Sequence, residues 1–124
     1  MILGIGIDLI EVARVARQLA AEGVAFRDAV FTPAEISYCD RKHFPAQHYA
    51  ARFAAKEAAF KALAVPADFG AAWRDAEVLS DAGVPRLVLA GRLGGLAAAR
   101  GVRRIHVTLS HTQELATASV VLED

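Results

Sequence analysis

The residues with the clearest chemical potential are concentrated in one alanine-rich stretch, residues 52–63. The stretch carries one carboxylate, Glu57, and three cationic side chains, Arg52, Lys56 and Lys61. In a helix with about 100° per residue, Glu57 and Lys61 lie one turn apart, so an acid and a base stand side by side. One carboxylate among three cations indicates a site for a metal ion together with phosphate.

An apolar arc on the same predicted helix makes Lys56 unusual. Four large side chains fall in this arc: Tyr49, Phe53, Phe60 and Leu63. Lys56 lies inside the arc and Glu57 at its border, where packing alone would favour leucine or alanine. We therefore interpret Lys56 as a phosphate ligand.

A second carboxylate, Asp8, lies at the end of a predicted first strand. By period-two alternation, Gly4, Gly6 and Asp8 share one face of this strand, so Asp8 lies beyond a face that lacks large side chains. Asp8 and Glu57 converge if the long helix packs on the strand. Two such oxygen ligands suit Mg²⁺, which fills the rest of its octahedron with water and substrate phosphate.

Each of these residues also has a simpler interpretation. Asp8 could cap a helix that begins near Glu11. Glu57 and Lys61 could form an ordinary surface pair, which contributes only about 0.3–0.5 kcal/mol. Arg52 and the lysines could extend from the helix into water.

The segment Ser110-His111-Thr112 offers two hydroxyls, an imidazole and backbone N–H groups to an anion. Neighbours on a strand point to opposite faces, so Ser110 and His111 do not form a nucleophile-base pair, and a serine hydrolase is not indicated. The other histidines lack metal-ligand spacing and are expected at the surface: His43, His48 and His106.

Composition narrows the class of protein. The 124 residues predict a single domain, residues 1–124. Fourteen basic and fourteen acidic residues give no net charge, which argues against a non-specific nucleic-acid binder. No uncharged run approaches the roughly 20 residues of a membrane span, so the 55% hydrophobic content is expected to cover a subunit interface. The single cysteine, Cys39, excludes an intrachain disulfide, and we expect a soluble cytoplasmic protein.

The predicted fold class is α+β, with a small, mainly antiparallel sheet wrapped on a long central helix. Thr32-Pro33-Ala34-Glu35 combines a capping hydroxyl, a proline at the first helical position and a glutamate at the third, which predicts a helix start. Helices are expected over about 11–21, 32–40, 46–63 and 92–100, and strands over about 1–9, 76–80, 86–90, 105–110 and 116–123.

Four blocks taken in order resemble the holo-acyl-carrier-protein synthases, the small 4′-phosphopantetheinyl transferases of bacteria. The blocks run from the first strand to the last hairpin: residues 4–11 (GIGIDLIE), 31–35 (FTPAE), 52–58 (RFAAKEA) and 109–112 (LSHT). The resemblance implies Mg²⁺-dependent transfer of the phosphopantetheine arm of coenzyme A to a serine of apo-acyl carrier protein. It also implies release of adenosine 3′,5′-bisphosphate and a homotrimer with active sites at its interfaces.

The resemblance also assigns roles position by position. Asp8 and Glu57 match the Mg²⁺ ligands, and Lys61 matches a lysine near the reacting diphosphate. The positions that match contacts to the nucleotide end of coenzyme A are Arg52, His111 and Thr112. Arg14 matches an arginine that meets the acidic carrier helix, and two further arginines are expected to assist it by location: Arg17 and Arg27.

One departure separates this chain from the family pattern. The family commonly follows the long helix with Gly-Thr-Gly, where this chain has Ala64-Val65-Pro66. Ligand contacts through the backbone of that loop are therefore not carried over. Two other classes of protein stay open at this level: a catalytically silent module that binds coenzyme A or carrier protein, and a phosphate-binding structural trimer. Metal dependence would separate the first from an enzyme.

Overall fold

The structure is a computed structural model that describes residues 1–70 and 72–124. The described residues form the following helices and strands in chain order: β1 (Ile2–Glu11), α1 (Val12–Glu22), α2 (Val24–Val30), α3 (Pro33–Asp40), α4 (Pro45–Ala62), β2 (Ala76–Asp81), β3 (Val84–Leu89), α5 (Gly91–Ala99), β4 (Arg104–His111) and β5 (Leu115–Glu123). A short 3₁₀ helix, Trp73–Asp75, precedes β2.

The strands form two antiparallel sheets. In the larger sheet β5 lies between β1 and β4, with Gly6 opposite Val120 and Asp8 opposite Ala118. The smaller sheet is the β2–β3 hairpin. Its turn contains Ala82 and Gly83, both with positive φ, a backbone form that matches the right-handed twist of a two-stranded hairpin.

Helix α4 packs directly on β1 and β5 because both surfaces carry small residues. Gly4 and Gly6 face α4 so closely that a Cβ on Gly6 would lie 1.9 Å from the carbonyl oxygen of Ala58. On the helix, six alanines are at most 2% exposed: Ala50, Ala51, Ala54, Ala55, Ala58 and Ala59. The backbone of β1 therefore lies directly against the backbone of α4, and this contact fixes the position of Asp8 relative to α4.

The aromatic arc of α4 packs against the other helices. Phe53 lies against Phe26 of α2 and stacks on Trp73, with 5.1 Å between the ring centroids of Phe53 and Trp73. Tyr49 meets Phe31 edge to face at 4.8 Å. With alanines on the sheet side and aromatic rings on the other, α4 is the central element of the core.

The structure confirms the α+β prediction, the antiparallel sheet on a long central helix, and the predicted helices and strands to within a few residues. The Thr32–Glu35 capping box is present in both directions at the start of α3. Helix α2 was not predicted. Among the described residues, no helix combines the length and the apolar character needed to cross a bilayer.

Candidate functional site

The predicted acid-base cluster assembles where the end of β1 passes α4. The Lys61 ammonium donates to the Asp8 carboxylate over 3.1 Å and to the carbonyl oxygen of Ile7 over 3.0 Å. Thr117 of β5 donates its hydroxyl to the backbone carbonyl of Asp8 over 2.7 Å, which anchors this strand end in the sheet. The side chain of Asp8 is 17% exposed and that of Lys61 is 55% exposed. Both groups are therefore held by the fold and open to a ligand.

Glu57 lies close enough to Asp8 for the two carboxylates to repel each other. Burial raises the pKa of the Glu57 carboxyl, and the charge of Asp8 raises it further, while Lys61 and Arg14 oppose the shift. A cation bound between the two carboxylates would offset this repulsion and favour the ionised form of Glu57. This proximity is consistent with the sequence prediction that α4 brings Asp8 and Glu57 together.

The donor set also indicates which kind of cation fits. Among residues 1–70 and 72–124, no group of three His, Cys, Asp or Glu side chains is arranged around a common point. Asp8 and Glu57 therefore offer carboxylate oxygens alone, and the remaining ligands of a cation would come from water and phosphate. That set fits Mg²⁺, which is commonly held by one or two carboxylates plus substrate phosphates, and does not fit a closed zinc site.

A cationic cavity of about 190 Å³ lies between α3, α4, the β2–β3 hairpin and β4. Arg52 is only 3% exposed, and its guanidinium lies 3.9 Å from the ring centroid of Tyr38. Its buried Nε has no hydrogen-bond partner among the described residues. His111 lines the cavity from β4. The residues that line it include no carboxylate, so it offers a built cradle for an anion.

His48 is a cavity residue that sequence reasoning missed. The expectation of a surface histidine was wrong, because the ring of His48 is half-buried with its centroid 5.2 Å from that of His111. Burial lowers the pKa of His48, and electrostatic interaction with His111, Arg52 and Lys42 lowers it further. The signal in the sequence was one helical turn: His48 precedes Arg52 by four residues on α4.

Thr112 lies at the turn between β4 and β5 rather than among the residues that line the cavity. Its hydroxyl oxygen accepts from the backbone N–H groups of Glu114 and Leu115, over 3.2 and 3.1 Å. This contact shapes the hairpin loop, and the hydroxyl hydrogen can still be donated to a ligand.

The interpretation of Lys56 as a phosphate ligand needs correction. Its side chain is completely buried, and its ammonium donates to Glu35 and to the carbonyl oxygens of Trp73 and Ala76. An ammonium group has three N–H donors, and all three are used. Lys56 is a structural cation inside the core.

The three predicted carrier-binding arginines differ in their surroundings. Arg14 and Arg17 are exposed on α1, one turn apart, and Arg14 is near enough to Glu57 to influence its pKa. Arg27 on α2 is half-buried and already paired with Asp28 over 3.0 Å. The exposed row on α1 therefore adjoins the acid-base cluster, whereas an incoming carboxylate would have to compete for Arg27.

The outer face of β1 is apolar and exposed. The exposed fraction is 65% for Ile5, 62% for Ile7 and 64% for Leu9, and these residues alternate with the ones that face α4. An apolar stripe on a sheet face next to a functional cluster is typical of a subunit interface.

Comparison with known proteins agrees with the sequence motifs. The model of the 4′-phosphopantetheinyl transferase superfamily matches residues 4–118. A holo-[acyl-carrier-protein] synthase from Koribacter versatilis is 46% identical over 125 residues, with both chains covered in full.

Solved structures of the same kind share the fold. The holo-[acyl-carrier-protein] synthase from Neisseria meningitidis superposes with a TM-score of 0.86 at 30% identity, over the full length of both chains. The Bacillus anthracis holo-(acyl-carrier-protein) synthase in complex with CoA (3′,5′-ADP) gives a TM-score of 0.80 at 32% identity, covering 98% of this chain and 96% of that one. The resemblance inferred from the four sequence blocks is confirmed.

Proposed function

The chain belongs to the 4′-phosphopantetheinyl transferase superfamily, and on this premise we propose that it moves the phosphopantetheine arm of coenzyme A to a serine of apo-acyl carrier protein, with Mg²⁺. The serine oxygen bonds to the phosphorus on the pantetheine side of the diphosphate. The bond from that phosphorus to the bridging oxygen breaks, adenosine 3′,5′-bisphosphate leaves with the bridging oxygen, and the serine proton is released. The attacking hydroxyl belongs to the carrier, so this chain needs no nucleophile of its own.

The observation that carries the proposal is the contact between Lys61 and Asp8, with Glu57 close enough to both for their charges to shift its pKa. Phosphoryl transfer requires the protein mainly to position the reactants and to neutralise charge. Asp8 and Glu57 are the residues that would hold Mg²⁺, which supplies charge neutralisation at the diphosphate when bound. Lys61, as a point charge beside them, would offset negative charge on the bridging oxygen of the leaving bisphosphate.

The cavity around Arg52 is the proposed seat for a phosphate at the nucleotide end of coenzyme A. Its support is the buried guanidinium, whose Nε has no partner in residues 1–70 and 72–124, together with the two imidazoles that line the same cavity. A planar guanidinium held in place by the Tyr38 ring is pre-organised for a phosphate oxygen. Thr112, in the turn between β4 and β5, adds a hydroxyl donor.

A direct test is incubation of the chain with coenzyme A, Mg²⁺ and an apo-acyl carrier protein, followed by intact mass measurement of the carrier. We expect the mass of one phosphopantetheine arm to appear on the carrier, and expect chelation of the divalent cation to prevent it. A carrier in which the acceptor serine is replaced by alanine is the matched control. An unmodified wild-type carrier after prolonged incubation would contradict the proposal.

The proposed carrier-binding surface is the exposed arginine row on α1, which adjoins the acid-base cluster. Carrier proteins that present an acidic helix would be attracted to Arg14 and Arg17, with Arg27 as a weaker contributor because it is paired with Asp28.

We place this enzyme in the cytoplasm, as a single transferase domain over residues 1–124 that serves fatty-acid synthesis.

Reversal of the charge at Arg14 tests this surface. Arg14→Glu is expected to raise the KM for carrier protein about tenfold at low salt, because an exposed charge acts chiefly on the encounter between partners. The difference should shrink as salt screens the charges. Arg103→Glu, at an exposed position away from α1, is the control and should leave this KM unchanged. An unchanged KM for Arg14→Glu would remove Arg14 from the carrier surface.

The proposed assembly is a homotrimer that covers the apolar stripe of β1. Ile5→Asp should therefore give monomers and a large loss of activity, because a charge cannot be buried unpaired in such an interface. Val84→Asp is a matched control, since Val84 at the hairpin tip is 64% exposed and Ile5 is 65% exposed. Light scattering coupled to size-exclusion chromatography measures the outcome. A trimer that survives Ile5→Asp would place the interface elsewhere.

A further inference from the structure

A buried ion pair joins α4 to α3 without touching the proposed ligand sites. The Lys56 ammonium lies 2.7 Å from a carboxylate oxygen of Glu35, and both side chains are 0% exposed. Lys56 immediately precedes Glu57 in the chain, so the pair lies one residue from the acid-base cluster.

Every polar group of this pair is satisfied, and the partners come from several elements. Lys56 also donates to the carbonyl oxygens of Trp73, over 3.1 Å, and Ala76, over 2.5 Å. Glu35 accepts from the backbone N–H groups of Thr32 and Val78, each over 2.9 Å. One ion pair thereby ties α4 to the start of α3, to the 3₁₀ helix and to β2.

Stability alone does not account for such an arrangement. Two charges removed from water are at best a small net gain, and apolar residues of similar volume are often as stable or more stable. The pair instead fixes the orientation of α4. Lys56 reaches its three acceptors only when α4 has one rotation about its axis and one position along that axis relative to β2. That rotation is also the one that turns Glu57 toward Asp8.

We propose that Lys56 is a positioning residue, which with Glu35 fixes the rotation of α4 and so holds Glu57 and Lys61 opposite Asp8. The role in turnover rests on the proposed transfer function, whereas the effect on α4 is a property of the fold. The two can therefore fail separately.

The test compares Lys56→Met and the double variant Lys56→Met/Glu35→Gln with the wild-type chain. The single variant leaves a buried carboxylate without its cation and is expected to lose much stability, or to fail to fold. The double variant removes both charges, so it should regain part of the thermal stability, although the carbonyl oxygens of Trp73 and Ala76 lose their donor. The matched control is Leu93→Ala, which opens a cavity at a fully buried site in α5 and leaves the ion pair in place.

Two readouts are measured at a temperature where each variant is folded. Hydrogen exchange of the backbone amides of residues 57–61 reports on α4 directly, without activity. Steady-state kinetics then separates kcat from the KM for carrier protein. In the double variant we expect exchange at these amides to be about tenfold faster or more than in Leu93→Ala. We expect kcat to fall about tenfold or more, with the KM for carrier within about twofold of wild type.

A double variant with wild-type exchange at these amides would overturn the proposal. So would a double variant whose kcat returns together with its thermal stability, since that is the behaviour of a merely structural pair. Should the wild-type chain show no transfer at all, the proposed function fails, and exchange at residues 57–61 still decides whether the pair holds α4 in place.

Discussion

Glu57→Gln is expected to lower kcat about a hundredfold to a thousandfold, a barrier increase of about 2.7–4 kcal/mol. Glutamine keeps the volume of the half-buried side chain but removes the negative charge that Glu57 carries beside Asp8. An amide binds a divalent cation much less well than a carboxylate does. With Asp8 as the one remaining carboxylate of the pair, charge neutralisation at the diphosphate would be lost.

The same substitution should leave the fold intact. Because burial and then the charge of Asp8 raise the pKa of Glu57, the charged carboxylate is unfavourable in the folded chain, and its removal should keep or raise the melting temperature. Single-turnover mass measurement of the carrier gives the rate, and thermal unfolding without a divalent cation gives the stability. Glu22→Gln, at the exposed end of α1, is the control for loss of one carboxylate. A Glu57→Gln rate near that of this control would contradict the ligand role.

Local signals in the sequence were sufficient for most elements of the fold. The capping box at Thr32 and the alanine-rich helix with its charges depend on neighbours within one or two turns, so sequence spacing reports them. The sequence showed that Gly4 and Gly6 leave one face of β1 without side chains, and the structure shows that the backbone of α4 lies against this face. Helix α2 has seven residues and no side-chain cap, which leaves little pattern to recognise.

Residues that depend on partners far along the chain were harder to interpret. The buried charge of Lys56 was noticed, but its partner Glu35 lies 21 residues earlier and two of its acceptors are backbone carbonyls, which the sequence does not distinguish from any others. His48 and Tyr38 join the cavity around Arg52 only once α3, α4 and β4 have packed. A charge inside an apolar arc was therefore a correct sign of an unusual residue and a poor guide to its role.

Gly6→Ala is expected to destabilise the chain by about 3 kcal/mol or more, because the added methyl would overlap a backbone atom. Its Cβ would lie 1.9 Å from the carbonyl oxygen of Ala58, whereas a real contact needs more than 3 Å. A carbonyl that is bonded within α4 cannot turn aside as the tip of a flexible side chain can. Either α4 and β1 move apart, or the packing between them is lost.

The consequence for the site follows from the same contact. Asp8 is two residues after Gly6 on the same face of β1, and Ala58 adjoins Glu57, so any separation at Gly6 also pulls the two carboxylates apart. Molecules that remain folded should therefore lose transfer activity as well. Gly6→Ala combines a stability defect with a site defect, although residue 6 offers no chemical group.

Gly95→Ala is the matched control for this prediction. A Cβ at Gly95 meets nothing within 4 Å in α5, so the substitution should stabilise the chain by about 0.5–1 kcal/mol through the better helix propensity of alanine. Urea unfolding of both variants at one protein concentration gives the two free energies with opposite signs. A Gly6→Ala chain as stable as Gly95→Ala would mean that α4 and β1 do not pack backbone to backbone. The geometry that brings Asp8 to Glu57 would then lose its physical basis.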